Sequence, residues 1–253
     1  VEAIVEALGG KIVKAEVCDP LGRKIEASYG IAGDTAIIEM AAASGLPLLK
    51  PEERNPWLTS TYGTGEMIMD AISRGCRKFL VGIGGSATND AGTGMLQAMG
   101  FRFYDVNGEM IDHCAGGRMA EIARIDDSYV PAEVCQAVFT VACDVDTPFC
   151  GPEGAAPVFA PQKGADSEMV SRLDAGMVSL AKVIAGKYAV DVVPVAGAGA
   201  AGGMGGAFYA FLHATLKKGI DMVLDAIDFD TTIQGADLVI TGEGKVDFQT
   251  AKG

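Results

Sequence analysis

The sequence predicts an α/β fold, and three observations carry that prediction. Apolar runs of strand length, such as Lys78-Phe-Leu-Val81 and Ala137-Val-Phe-Thr-Val-Ala142, alternate with segments of helical periodicity. Both runs lead into polar or glycine-rich loops, and open α/β sheets bind ligands at the carboxyl ends of their strands. The length, 253 residues, suits one large α/β domain or two smaller ones with a sizeable buried core.

Taken in order, residues 1–9 read as the end of an amphipathic helix (Val1, Ile4, Val5, Leu8) closed by Gly9-Gly10. Residues 11–40 alternate apolar and polar around Pro20-Leu-Gly-Arg23 and Gly33-Asp34, which predicts strands joined by turns. Glu39 lies inside an apolar run and is expected to be paired or to face a site, because an unpaired buried carboxylate is costly. A helix is expected from Thr64 to Ser73, with Thr64 as its N-cap and Tyr62 and Glu66 nearby. Residues 78–100 read as strand, glycine-rich loop and helix, followed by a polar hairpin around Asp105-Val-Asn-Gly108. Residues 167–189 carry a Met and Leu stripe at helical spacing, which predicts a helix packed on the core. A second glycine-rich segment, Val195 to Gly206, opens an apolar helix expected to run through Leu216. A short strand is expected at 236–240, running into Thr241-Gly-Glu-Gly244.

Bulk composition excludes several functions. Twenty basic against thirty-three acidic residues give a net charge of −13, which argues against nucleic-acid and anionic-membrane partners. An anionic ligand must then be met by local backbone dipoles, a few lysines or a metal ion. The six cysteines show no metal-ligand spacing and read as free thiols of a reducing cytoplasm. Apolar runs are short and broken, so neither a membrane span nor a signal peptide is expected. His113 and His213 have no evident partners, and no catalytic triad is visible. The chain starts without methionine inside an amphipathic pattern and stops after a polar loop, so both ends are expected to be cuts through a larger protein.

The most informative stretch is Val81-Gly-Ile-Gly-Gly-Ser-Ala-Thr-Asn-Asp-Ala-Gly-Thr-Gly94. A strand, a glycine-rich turn and a helix leave backbone N–H groups aimed at one spot, where the helix dipole favours an anion. Gly84, Gly85, Ser86, Thr88 and Asn89 are candidate phosphate or carboxylate ligands, and Asp90 adds a carboxylate to the same turn. Asp144 and Asp146 stand two apart after a strand; in extended backbone both face one side, as an Mg²⁺-holding pair does. Glu243 and Asp247 lie in a loop with a lysine and two glycines, again after a predicted strand. Gly197-Ala-Gly-Ala-Ala-Gly202 matches the dinucleotide fingerprint, which leaves an NAD-dependent dehydrogenase as the alternative reading. The acidic residue about twenty positions on, Asp221, does not close a second strand, so that match is weak. No Walker P-loop occurs.

Seven ordered blocks resemble the bacterial glycerate kinase family. They are Ile38-Glu-Met-Ala-Ala-Ala-Ser-Gly-Leu-Pro47, Tyr62-Gly-Thr-Gly-Glu66, Gly84-Gly-Ser-Ala-Thr-Asn-Asp90 and Cys143-Asp-Val-Asp146. Pro161-Gln-Lys-Gly164, Gly197-Ala-Gly-Ala-Ala-Gly-Gly203 and Ile240-Thr-Gly-Glu-Gly244 with Asp247, Gln249 and Thr250 complete the set. The resemblance implies a cytoplasmic enzyme that phosphorylates D-glycerate from ATP with Mg²⁺, giving 2-phosphoglycerate. It implies a two-domain architecture, with an inserted α/β domain at 1–195 and a partial return into a Rossmann-like outer domain at 196–253. A catalytically silent fragment is the remaining alternative, and a homodimer stays open. Under this reading Lys163, Gly199, Gly202 and Gly203 join the phosphate and substrate ligands, Asp144 and Asp146 hold the metal, and Asp90 is the first candidate base with Asp144 the second. Ala91 and Ala160 stand where the family usually has glycine and Thr147 where asparagine is common, which puts the backbone of those loops in question.

Overall fold

A computed structural model of the chain describes residues 1–239. Eight strands are present among them: β1 (Lys11–Cys18), β2 (Lys24–Ala32), β3 (Thr35–Glu39), β4 (Lys78–Gly82), β5 (Arg102–Tyr104), β6 (Arg124–Asp126), β7 (Val138–Ala142) and β8 (Thr215–Lys217). The helices are α1 (Glu2–Ala7), α2 (Ala41–Ser44), α3 (Tyr62–Ser73), α4 (Thr93–Ala98), α5 (Ala132–Cys135), α6 (Ala155–Phe159), α7 (Ser167–Tyr188), α8 (Ala200–Leu212), α9 (Gly219–Ala226) and α10 (Phe229–Thr232). The main sheet runs β1-β2-β3-β4-β7-β8, while β5 and β6 form a separate antiparallel pair. Strands β1, β2 and β3 are joined antiparallel, and β3, β4, β7 and β8 run parallel.

Local chemistry explains these elements. The β1–β2 turn closes on Asp19, whose carboxylate accepts from the backbone N–H of Leu21 and Arg23 and from the Arg23 guanidinium. The 22-residue α7 starts at Asp166, whose side chain accepts from the Met169 N–H. Its stripe of Leu173, Met177, Leu180 and Ile184 is buried, as the sequence predicts for a core helix. In β4 and β7 every second residue is buried: Phe79 and Val81 on one strand, Phe139 and Val141 on the other. Phe79 and Phe139 stack with ring centroids 4.7 Å apart, and Phe208 of α8 leans on Phe139 at 5.7 Å.

Several expectations are corrected. The helix expected from Thr64 begins two residues earlier, at Tyr62, with Thr61 as its N-cap residue. Thr64 is instead buried and shares a 2.8 Å hydrogen bond with Ser44. Glu39 is exposed at the end of β3 rather than buried within it, and it is paired as expected, with the Val1 amino group at 3.5 Å. Helix α8 stops at Leu212 because His213 turns into the left-handed region, and Leu216 pairs with Val141 as part of β8. Residues 198–214 contribute to the same apolar core as α3, α4 and α7, and β8 extends the same sheet. Residues 236–239 form no strand, and the rest of the strand expected at 236–240 lies outside the described residues.

The register places the carboxyl ends of the parallel strands level: Glu39 opposite Gly82, Gly82 opposite Ala142, and Ala142 opposite Lys217. The loops that follow β4 and β7 therefore emerge side by side. Because Phe139 ties both strands to α8, Phe139→Ala is expected to cost about 3–5 kcal/mol. Urea denaturation measures this, and a loss below about 1 kcal/mol would show that this aromatic contact is not central to the core.

Candidate active site

A cleft of about 370 Å³ opens over the carboxyl ends of β4 and β7. One wall is Ile83-Gly-Gly-Ser86, following β4, and another is Cys143-Asp-Val145, following β7. Phe159, Gln162 and Lys163 come from the α6 region, and Ala200 and Ala201 from the start of α8. Five of the sequence candidates thus meet in one place: Gly84, Gly85, Ser86, Asp144 and Lys163.

Lys163 is buried, with 1% of its surface exposed. Its Nζ donates to the Thr88 carbonyl at 2.6 Å and to Ser86 Oγ at 3.1 Å. Among the described residues it forms no ion pair within 4 Å. Burial pulls its amine down to about 7, and the charge of Asp90 partly opposes that shift. The turn that presents it ends at Gly164, whose φ is +99° and where a Cβ would lie 2.2 Å from the Arg54 carbonyl oxygen. Only glycine satisfies both demands.

Asp144 is exposed on the opposite wall and accepts a 2.7 Å hydrogen bond from the Gly219 N–H at the start of α9. Asp146 is exposed but does not line the cleft, which corrects the expectation of two carboxylates on one face. The chain leaves strand geometry after Ala142, so the two-residue period no longer holds there. Among the described residues no three His, Cys, Asp or Glu side chains gather into a metal cage.

The expectation for Asp90 is corrected most strongly. It is fully buried and lies outside the cleft lining. Its Oδ2 accepts from the Thr61 N–H at 2.8 Å, the Thr61 hydroxyl at 2.7 Å and the Gly94 N–H at 3.2 Å. Its Oδ1 accepts from the Gly92 N–H at 3.1 Å. Burial pushes the carboxyl up, and these hydrogen bonds pull it back. Enclosed by four donors and absent from the cleft lining, this carboxylate caps α4 and clamps Thr61. It also occupies the N-terminus of α4, so those N–H groups meet Asp90 instead of a ligand.

Thr88 and Asn89 are likewise buried behind the cleft wall. Gly199, Gly202 and Gly203 are closely packed and are not among the residues that line the cleft. A Cβ on Gly202 would lie 2.2 Å from the Thr88 carbonyl oxygen, and one on Gly199 would lie 2.2 Å from that of Pro148. The two glycine-rich loops are joined directly, since the Ala91 N–H donates to the Gly202 carbonyl at 2.9 Å. Ala91 has φ +51°, a region that disfavours side chains, whereas Ala160 has an ordinary helical φ of −69°. The family's usual glycine thus has a physical reason at position 91.

The dinucleotide reading fails on geometry. No strand precedes Gly197, residues 201–203 are left-handed, and Asp221 lies in the first turn of α9. Sequence reasoning also missed Cys143, Gln162, Phe159, Ala200 and Ala201 as lining residues, and Thr61 as the partner of Asp90. Cys143 and Gln162 adjoin the singled-out Asp144 and Lys163, which was the available signal. Glu243 and Asp247 lie outside the described residues.

Comparison with known proteins follows the same lines. The model of the family described as "Glycerate kinase family" matches residues 1–253. A glycerate kinase of Halalkalibacterium halodurans is 49% identical over 257 residues, covering 100% of this chain and 67% of the relative. A glycerate 2-kinase of Escherichia coli is 48% identical over 255 residues, again covering 100% of this chain and 67% of the relative. A crystal structure from Salmonella typhimurium LT2, described as a glycerate kinase 2, superposes with a TM-score of 0.94 at 49% identity, covering 99% of this chain and 67% of that one. The chain spans about two thirds of the length of the relatives it matches.

Two outcomes test these roles. Asp90→Asn puts an NH₂ among four donors and is expected to lose about 2–4 kcal/mol of stability in denaturant titration; unchanged stability would return Asp90 to the candidate bases. Lys163 gives a pH signature. Its folded value, about 7, lies below the ordinary 10.5, so between these the unfolded chain binds the extra proton and stability rises with pH. The stability difference between wild type and Lys163→Met is expected to climb by roughly 1 kcal/mol per pH unit above pH 7. A flat difference would place the amine in a solvated setting.

Proposed function

The chain belongs to the glycerate kinase family, and from that premise we propose that its cleft transfers the γ-phosphoryl group of ATP to D-glycerate. The reading rests on one observation above all: Gly84, Gly85 and Ser86, the Asp144 carboxylate and the Lys163 amine line a single cleft at the carboxyl ends of adjacent parallel strands. Phosphoryl transfer asks a protein mainly for positioning and charge neutralisation. Glycines without side chains let phosphate oxygens approach the backbone along 84–85. The glycerate 2-kinase name of the Escherichia coli relative supports 2-phosphoglycerate as the product.

Mg²⁺ suits the donor set. This ion commonly takes one or two protein carboxylates and completes its shell with phosphate oxygens and water. Asp144 offers one carboxylate on the cleft wall, oriented through the Gly219 N–H. The ion, when bound, neutralises charge on the transferring phosphate. It would also offset the net charge of −13 where ATP approaches. Asp144 is therefore assigned to the metal rather than to the proton, and Asp146 is left without a role. A cytoplasmic location accords with this chemistry, since ATP is supplied there.

The test is phosphorus NMR of the intact protein with ATP, Mg²⁺ and D-glycerate. A phosphomonoester whose coupling pattern identifies 2-phosphoglycerate is expected. Asp144→Asn is expected to lower turnover by about a hundredfold or more with an unchanged melting temperature. ATP that persists, or yields only inorganic phosphate, would contradict the proposal.

A further inference from the structure

We infer that Lys163 is the general base of the transfer, taking the proton from the glycerate hydroxyl as that oxygen attacks the γ-phosphorus; this rests on the kinase reading above. Among the described residues, the other candidate bases are poorly placed for this step. Asp90 is enclosed by four donors and does not line the cleft. Asp144 has one oxygen held by Gly219, and its carboxylate is assigned to the metal. His113 and His213 are exposed and line no part of the cleft.

Lys163 has the required geometry. It is the one lysine among the buried residues described, and it lines the cleft. Its two hydrogen-bond acceptors are a hydroxyl and a carbonyl, Ser86 Oγ and Thr88 O. A neutral amine has two N–H bonds and one lone pair. Those two acceptors match the two N–H bonds, which leaves the lone pair of the neutral amine unused. Burial keeps the amine near 7, where a base has its greatest effect at neutral pH.

The step balances. The hydroxyl O–H bond breaks and its proton moves to Nζ, while a new O–P bond forms on the same oxygen. The bond from the γ-phosphorus to its bridging oxygen breaks, and that electron pair stays on ADP. Lys163 ends as an ammonium beside the new phosphate ester, so one group accepts the proton and then offsets the product's charge. Ser86 and Thr88 fix where Nζ sits, and they become positioning residues. The other charged or titratable groups around Nζ are Asp90 behind the 86–90 loop, Asp144 and Cys143 on the facing wall, and Arg54 against the Gly164 turn.

The experiment is the pH dependence of kcat in wild type, Lys163→Arg and Lys163→Met, with binding of Mg²⁺ and a non-hydrolysable ATP analogue measured by calorimetry on the same samples. Wild type is expected to show an acid limb near pH 7. Lys163→Arg keeps the charge but cannot accept a proton, and its kcat is expected to fall at least about a hundredfold with nucleotide binding retained and the limb absent. If the variants fold poorly, NMR of ε-carbon-labelled lysine in the wild type gives the same answer, through one lysine resonance titrating near pH 7. Lys163→Arg turnover within tenfold of wild type with the acid limb intact, or a wild type in which every lysine titrates near 10, would overturn the inference. A wild type that binds no nucleotide and forms no phosphoglycerate would overturn the kinase reading and this inference with it.

Discussion

The carboxylate of Asp90 accepts hydrogen bonds from Thr61, Gly92 and Gly94, and the shape of the cleft descends from that contact. Thr61 is the N-cap residue of α3, and Gly92 and Gly94 flank the start of α4, so one buried side chain fixes two helix N-termini against each other. Thr61 completes the joint by accepting the Met95 N–H at its hydroxyl. The helices can meet this closely because Gly65 lies where a Cβ would come within 2.3 Å of the Met95 carbonyl oxygen. With the far end of the loop anchored, Gly84 to Ser86 are held at the end of β4, facing the loop that follows β7. The second glycine-rich segment leans on the back of the same loop through Gly202 and Thr88. Most glycines in these two segments permit backbone to approach backbone, and the open wall is left to Gly84 and Gly85.

Electrostatics set the second constraint. A chain with thirteen excess negative charges must gather its favourable field for an anion into a small volume. The cleft does so sparingly, with dipoles of the 84–86 backbone, one buried amine and one carboxylate that recruits a cation. The amine is costly to bury in its charged form, and it is held by neutral acceptors instead of a carboxylate partner. That arrangement stores little charge in the resting site. It also makes the site responsive to the charge of whatever enters.

Much of this was legible in the sequence. Alternation at 11–40, the strand–loop–helix at 78–100 and the stripe on α7 gave the α/β class, because period and turn chemistry are local properties. The loops that the sequence singles out after β4 and β7 line the cleft. The roles within them were not legible. Asp90 sits in a motif full of polar ligands, and nothing local distinguishes a carboxylate that binds substrate from one that clamps Thr61, twenty-nine positions away. The glycines at 199, 202 and 203 read as phosphate ligands because their close neighbours, Pro148 and Thr88 among them, are distant in sequence. Asp144 and Asp146 were paired by strand periodicity, which ends with β7 at Ala142. Lys163 was found only through the family resemblance, and its burial is a tertiary fact.

The central claim is that the cleft at the ends of β4 and β7 holds the phosphates and the acceptor together. A crystal structure of the intact protein with Mg²⁺, a non-hydrolysable ATP analogue and D-glycerate tests it directly. The account predicts phosphate density against Gly84 to Ser86, the ion on Asp144 and the glycerate hydroxyl within hydrogen-bond reach of Lys163 Nζ. Nucleotide and glycerate bound elsewhere, with this cleft filled only by water, would contradict it.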